Sequence, residues 1–348
     1  MAAPARAILG QGPAEPEEAY PVRAAVYERT GPAAEVLRVT DVPTPEPGPG
    51  QVRVRVQASG INPTDVKTRG GLTPRPIDGF QIPHLDGAGV IDAVGPGVPE
   101  ERIGQQVWVW MAAFGQRWGT AAQWTVVPGR QAVPLPDGVS PELGASLGVP
   151  AMTAHHALFA DGPVDGQAVL VAGGAGAVGH FCVQLANWGH AAQVLATVSG
   201  PAKAQLAKEA GAADVINYHD ADAADQIRSA AGGPVDRIIE VALGANLELD
   251  LAVSRPGTVV VGNAAEPADP VLPVRACMTA NIVLRFMLLY RVPAAAMDQA
   301  ATDISVALST GALTLSGLPT RRFALDEIAA AQDAVDRGIG GKVLVIPD

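Results

Sequence analysis

Cysteine is nearly absent: the 348-residue chain holds only Cys182 and Cys277. Two thiols so far apart exclude a disulfide framework and any cysteine-rich metal site. Aromatic residues make up only 4% of the chain, and no apolar run reaches the roughly 18 residues needed to cross a bilayer. Basic residues are outnumbered, 24 Lys and Arg against 35 Asp and Glu, and they are scattered singly apart from Arg321-Arg322. With a formal net charge of -11 and no basic cluster to neutralise phosphates, the composition argues against nucleic acid as a partner. Met1 to Pro21 lacks a basic region leading into an apolar core. That stretch, residues 1-21, is expected to be a flexible tail and the cytoplasm the default compartment.

What is present is a globular balance, 48% hydrophobic and 17% charged, in a chain longer than one core usually organises. Two domains are the expectation. From residue 22 to 135 the chain reads as short strands punctuated by Gly and Pro. Gln51 to Gln57 alternates polar and apolar with period two, as a half-buried antiparallel strand does. Further strands are read at 107–110 and 124–127. Pro141 to Phe159 is Ala- and Leu-rich and predicted helical, with Pro150 as a break or kink.

From Gln167 strand and helix alternate. Ala168-Val169-Leu170-Val171 is a continuous apolar run, the signature of a parallel strand covered on both faces. Helices near 176–189, 201–210, 222–231 and 245–253 alternate with strands at 193–198, 214–216, 237–240 and 258–261. This predicts an α/β fold whose cofactor domain is a doubly wound, Rossmann-type parallel sheet. Helical stretches near 294–309 and 325–336 follow, then a strand at 342–346, whose return to the first module would make that module discontinuous. The expected division is 22–145 with 291–348 for the β-rich module and 146–290 for the cofactor domain.

Gly174-Ala175-Gly176-Ala177-Val178-Gly179 fits G-x-G-x-x-G, follows a strand and opens a helix. Glycines let the backbone approach a pyrophosphate, which amide N–H groups and the helix N-terminus hold. A turn that only packs strand on helix is the plainer alternative. NAD sites place a carboxylate at the end of the next strand to bind the ribose 2′-hydroxyl. Here that end reads Thr197-Val198-Ser199-Gly200-Pro201-Ala202-Lys203, without a carboxylate. A hydroxyl and a cation suit a 2′-phosphate, so NADPH is the expected cofactor. An ordinary exposed lysine is the alternative for Lys203.

Several more motifs occur in order: Gly60-Ile61-Asn62-Pro63-Thr64-Asp65, Asp86-Gly87-Ala88-Gly89-Val90, Gly148 to Ala154, Val215-Ile216-Asn217-Tyr218, Ile238 to Ala242, Gly257 to Gly262 and Gly341 to Leu344. With them the chain resembles the medium-chain dehydrogenase/reductase superfamily, in its zinc-independent quinone oxidoreductase and zeta-crystallin branch. The resemblance implies a GroES-like substrate domain, a Rossmann domain, an active-site cleft between them, and a homodimer or homotetramer. It implies Ser199, Lys203 and Tyr218 around the 2′-phosphate, although a core aromatic is the alternative for Tyr218. It implies Thr153 near the nicotinamide, and Asn62, Val241 and Asn263 in the cofactor-binding set beside Gly174, Gly176, Ala177, Val178 and Gly179.

The zinc-dependent branch has cysteine at the position of Asn62 and histidine at that of Leu85, and neither residue present is a zinc ligand. No metal is therefore expected. His84, where the family usually has Gly, reads as a loop histidine, His155 and His156 as helix-surface residues, and Cys182 as packed on its helix. Without zinc the substrate oxygen needs hydrogen-bond donors. Asn62 carries an amide, and Lys67 stands where the family often has tyrosine. Asn62 and Lys67 are the catalytic candidates, with a solvated or cofactor-contacting lysine as the plainer reading of Lys67. Asp65 reads as structural and Arg337 as a helix-end residue. The expected reaction is hydride transfer from NADPH to a quinone or conjugated enone. An alkenal or enone reductase without quinone activity, a crystallin-like NADPH-binding protein and, least favoured, a zinc alcohol dehydrogenase are the alternatives.

Overall fold

The computed structural model describes residues 21–265 and 269–347. The expected tail lies outside them apart from Pro21, which opens the first strand. In chain order the first module contains β1 (Pro21–Val26), α1 (Ala33–Val36), β2 (Arg38–Pro43), β3 (Gln51–Ile61), α2 (Pro63–Gly70) and β4 (Asp86–Val94). It continues with β5 (Gln106–Val109), β6 (Trp124–Pro128) and β7 (Ala132–Pro134). Helix α3 (Pro141–Phe159) then leads to β8 (Ala168–Ala172), α4 (Ala177–Trp188), β9 (Gln193–Val198), α5 (Pro201–Glu209) and β10 (Asp214–Asn217). Next come α6 (Ala223–Ala231), β11 (Val235–Glu240), α7 (Leu243–Val253), β12 (Ser254–Gly262), α8 (Val274–Ala280) and β13 (Val283–Phe286). The chain closes with α9 (Ala294–Ser309), β14 (Thr320–Ala324), α10 (Ile328–Asp336) and β15 (Lys342–Ile346).

Strand β3 shows how the first module is built. Val52, Val54 and Val56 point into the core while Arg53 and Arg55 alternate outward. Its last residues, Ser59, Gly60 and Ile61, pass beneath α3. A side chain at Gly60 would place its Cβ 1.9 Å from the Ala145 carbonyl oxygen, so only glycine lets strand and helix approach there. β3 pairs antiparallel with β4, β6 and the C-terminal β15, and β15 pairs in parallel with β14. The last strands thus lie in the sheet of the first module, in the order β14-β15-β3-β4-β5-β7.

The second sheet is six-stranded and parallel throughout, in the order β10-β9-β8-β11-β12-β13. All five residues of β8 are buried, which is why its sequence is apolar without alternation. Strand order reverses between β8 and β11, and ligands of such sheets bind at that switch point. α9 buries Met297, Ala300, Ala301 and Ile304 in the core that also holds α3 and α4, so this helix bridges the two modules. Pro150 does not break α3, which runs unbroken over Pro141–Phe159. The N–H of Val149 there donates 2.9 Å to Asp86 Oδ1, so a side chain from β4 takes up a donor beside the proline.

Candidate functional site

The glycine turn connects β8 to α4, and its glycines have different physical reasons. Gly173 adopts a positive φ of 68°, which the motif did not single out. A Cβ at Gly174 would lie 2.5 Å from that of Ala196 on β9, and one at Gly179 would lie 2.3 Å from the Gly173 carbonyl oxygen. Those two glycines hold strand and helix together. Gly176 is exposed, and a Cβ there would meet only the Gly173 carbonyl oxygen, at 3.3 Å. Its surface is open above the first turn of α4, formed by Ala177, Val178 and Gly179, where no side chain caps the helix. Uncapped amides beside an open glycine face fit a dinucleotide pyrophosphate.

At the end of β9, Lys203 Nζ donates 3.0 Å to Ser199 Oγ, bringing cation and hydroxyl to one spot at the start of α5. Parallel pairing of β10 with β9 sets Asn217 beside Val198, and the Tyr218 N–H donates 3.1 Å to the Val198 carbonyl. Tyr218 follows as a 38% exposed ring, not a core aromatic. Hydroxyl, ammonium and exposed phenol around an acid-free strand end match the chemistry of a 2′-phosphate.

A cleft of about 1250 Å³ brings together residues from both modules. Asn62, Thr64 and Lys67 contribute from α2 and its N-terminus, Val149 and Thr153 from α3, Val178 from the first turn of α4, and Val241 and Asn263 from loops after strands of the parallel sheet. Lys67 is exposed to the cleft, and its side chain has no hydrogen bond or ion pair among the described residues. Asn263 Nδ2 is buried without a partner, a free amide donor in the cleft wall. The turn that presents Val241 is organised by Glu240, whose Oε1 accepts from the Val241 N–H at 2.7 Å and from Asn246 Nδ2 at 3.0 Å. Glu240 lies within the Ile238 to Ala242 motif, but a strand-end glutamate gives no sign in sequence of folding back on its own backbone.

Asn62 is only 2% exposed and less free than its residue type suggested. Its Nδ2 donates 2.7 Å to Asp86 Oδ2, and its Oδ1 accepts 2.8 Å from Lys342 Nζ. One of its two amide N–H bonds is therefore committed within the protein. Lys342 also lies 3.4 Å from Asp86 Oδ2. Burial pushes Asp86 up and Lys342 down, each toward its neutral form, while their attraction opposes both. Asp65 accepts the Asn62 N–H at 2.8 Å and closes the N-terminus of α2, as its structural reading requires. Burial, with Asp86 nearby, pushes the Asp65 carboxyl up to about 7.

His84 lies in a loop, as read, but it is buried there. It is 1% exposed with φ 78°, a backbone region that explains the family's usual glycine at this position. Its Nδ1 lies 2.8 Å from Ser59 Oγ and its Nε2 lies 3.2 Å from Gln332 Nε2. Gln332 Oε1 accepts from Arg69 Nε at 3.0 Å, which turns the amide nitrogen toward the histidine. The imidazole then accepts at Nε2 and donates from Nδ1, and burial holds it neutral, with its pKa down to about 3. The helix-surface reading of His155 is corrected: it is 6% exposed, and Nε2 bonds Asp303 Oδ2 of α9 at 2.8 Å. Cys182 is fully buried, and Arg337 is exposed at the end of α10, away from the cleft wall.

The residues at the zinc position do not fit a metal. Asn62 offers an amide oxygen already bonded to an ammonium, Leu85 is a buried alkyl group, and no cluster of three metal-ligating side chains occurs among the described residues. No described helix is long and apolar enough to cross a membrane.

Residues 48–137 match the alcohol dehydrogenase GroES-like domain, and residues 177–305 match the family described as zinc-binding dehydrogenase. A quinone oxidoreductase of Rattus norvegicus is 35% identical over 242 residues, 68% of this chain and 71% of that protein. Among solved structures, a mycobacterial quinone oxidoreductase superposes with TM-score 0.80 at 28% identity, covering 94% of this chain and 100% of the other. A mycobacterial protein complexed with NADPH gives the same TM-score, identity and coverage.

Proposed function

We propose, for a chain that belongs to the zinc-independent, quinone oxidoreductase-like branch of the medium-chain dehydrogenase/reductase superfamily, that its cleft reduces a quinone or a conjugated enone with NADPH. The protein is an NAD(P)-dependent oxidoreductase, and NADPH and the substrate class are the finer reading. One observation carries it: the cleft joins the first turn of α4, Val241 and Asn263 to the unpaired ammonium of Lys67.

When bound, the cofactor supplies the hydride. The first turn of α4 would hold the pyrophosphate, and Ser199, Lys203 and Tyr218 the 2′-phosphate. Thr153, Val178 and Val241 line the cleft where they would hold the nicotinamide, and Asn263 Nδ2, without a partner, would donate to its carboxamide. Lys67 Nζ carries a proton into the cleft and offers it to the substrate oxygen as charge develops there. Asn62, fixed by Asp86 and Lys342, has one remaining amide N–H for the same oxygen.

The protein is also read as a homodimer. β13 is an edge of the parallel sheet, and Val283, Phe286, Val274 and Met278 on it and on α8 are exposed. An open edge beside apolar side chains suits a second copy related by two-fold symmetry.

The test follows NADPH and NADH oxidation against ortho- and para-quinones, alkenals and enones. Turnover with preference for NADPH is expected, and equal use of NADH would remove the 2′-phosphate argument. Lys203→Ala is expected to raise KM for NADPH roughly tenfold or more, with a much smaller effect on NADH. Cofactor binding without turnover on any substrate would instead favour a structural role.

A further inference from the structure

Besides Lys67, Arg117 and Arg291, the cleft is lined by a cation in an unusual seat. The guanidinium of Arg75, in the loop after α2, lies over Phe114 with Cζ 4.5 Å from the ring centroid, and 5.4 Å from that of Tyr290. The two rings are stacked, with centroids 5.2 Å apart and planes 10° from parallel. Phe114 follows β5 and Tyr290 follows β13, so the stack ties the first module to the end of the parallel sheet. All three residues line the cleft. A hydrogen bond to Thr64 holds the half-buried Tyr290, and burial pushes its phenol upward, so it adds no negative charge.

Arg75 has no hydrogen bond and no ion pair among the described residues. The carboxylates of the cleft wall are already engaged: Asp78 pairs with Arg117 at 2.8 Å and Glu46 with Arg53 at 2.9 Å. Asp65 is held by the Asn62 N–H, and burial pushes its carboxyl upward against the attraction of Lys342 and of Arg75, neither of which forms an ion pair with it. A guanidinium attracted to a ring through its face keeps its in-plane N–H fork for a planar anion. In a chain of net charge -11, an unpaired, half-buried arginine on an aromatic seat is a local inversion of sign.

We propose that Arg75, seated on Phe114 and Tyr290, is the subsite for an anionic group of the substrate. The substrate is then a conjugated carbonyl compound that carries a carboxylate. This rests on the reading of the cleft as a quinone or enone reductase site, and its test is a binding measurement that needs no turnover.

Naphthoate and naphthalenemethanol share one ring system and differ in charge. Calorimetric titration of each into the full chain, alone and with NADP⁺, separates a carboxylate on the glycine turn from one at Arg75. The unsubstituted protein is expected to prefer naphthoate roughly tenfold or more in both conditions, as a charge-assisted bidentate contact should. In Arg75→Met the preference falls to about parity, and Arg75→Lys, which keeps the charge but loses the fork, retains part of it. No preference in the unsubstituted protein, or an unaltered one in Arg75→Met, overturns the proposal. So does an Arg75→Met protein whose main defect is weakened NADP⁺ binding, which would assign the arginine to the cofactor's phosphates. Intact naphthoate preference without reduction of any quinone or enone would defeat the reductase reading alone. Turnover without that preference would defeat the subsite alone.

Discussion

The buried Lys342 Nζ, 2.8 Å from Asn62 Oδ1 and 3.4 Å from Asp86 Oδ2, fixes the amide's orientation and opposes the burial that pushes Asp86 toward its neutral form. Lys342→Met would leave Asp86 fully buried without its cation. The expected cost is about 3–5 kcal/mol in urea unfolding, and adding Asp86→Asn should recover part of it. Additive losses in the double variant would show that the pair is not coupled. Lys67 is the contrasting case, a lysine with no partner among the described residues. If it delivers the proton, Lys67→Ala should lower kcat by roughly a hundredfold or more while the protein stays folded. An unchanged kcat would take it out of the chemistry. Residue type, at positions given by the family resemblance, marked Asn62 and Lys67 as candidates. It did not reveal that the first is bonded on two sides, because Lys342 is 280 positions away in the chain.

At the scale of elements, the turn between β8 and α4 separates packing from binding. Gly179→Ala drives a Cβ to within 2.3 Å of the Gly173 carbonyl oxygen, which is backbone and can yield only if α4 moves off β8. A stability loss of about 1–3 kcal/mol is expected, visible as a lowered melting temperature. Gly176→Ala meets only a 3.3 Å contact and should fold nearly as well, yet it places a methyl group on the open face and should raise KM for NADPH. Equal melting losses in the two variants would contradict this division. The turn was legible because strand periodicity, glycine spacing and the following helix are all local signals. The positive φ at Gly173 and at His84 was not, since a left-handed backbone follows from where the neighbouring elements force the chain to go. Strand β13 and the pair β1–β2 also escaped the reading, being short or without clean alternation.

At the scale of the molecule, the edge strand β13 and helix α8 leave Phe286 65% and Met278 74% exposed. If the chain pairs through this edge as proposed, Phe286→Asp should yield a monomer in light scattering coupled to size exclusion, with the melting temperature of the isolated chain little changed. A dimeric mass for the variant would place the interface elsewhere. The sequence by itself determined the two-module plan, the α/β alternation and the glycine turn. It also showed the missing acid at the end of β9 and that Asn62 and Leu85 are not zinc-ligand types. Each of these is carried by composition, by a period of a few residues or by a short spacing. The tertiary structure alone decided that β15 returns to β3, that Lys342 stands between Asn62 and Asp86, and that Arg75 rests on Phe114 and Tyr290. These are contacts between distant parts of the chain, and they exist only once the hydrophobic cores have closed around them.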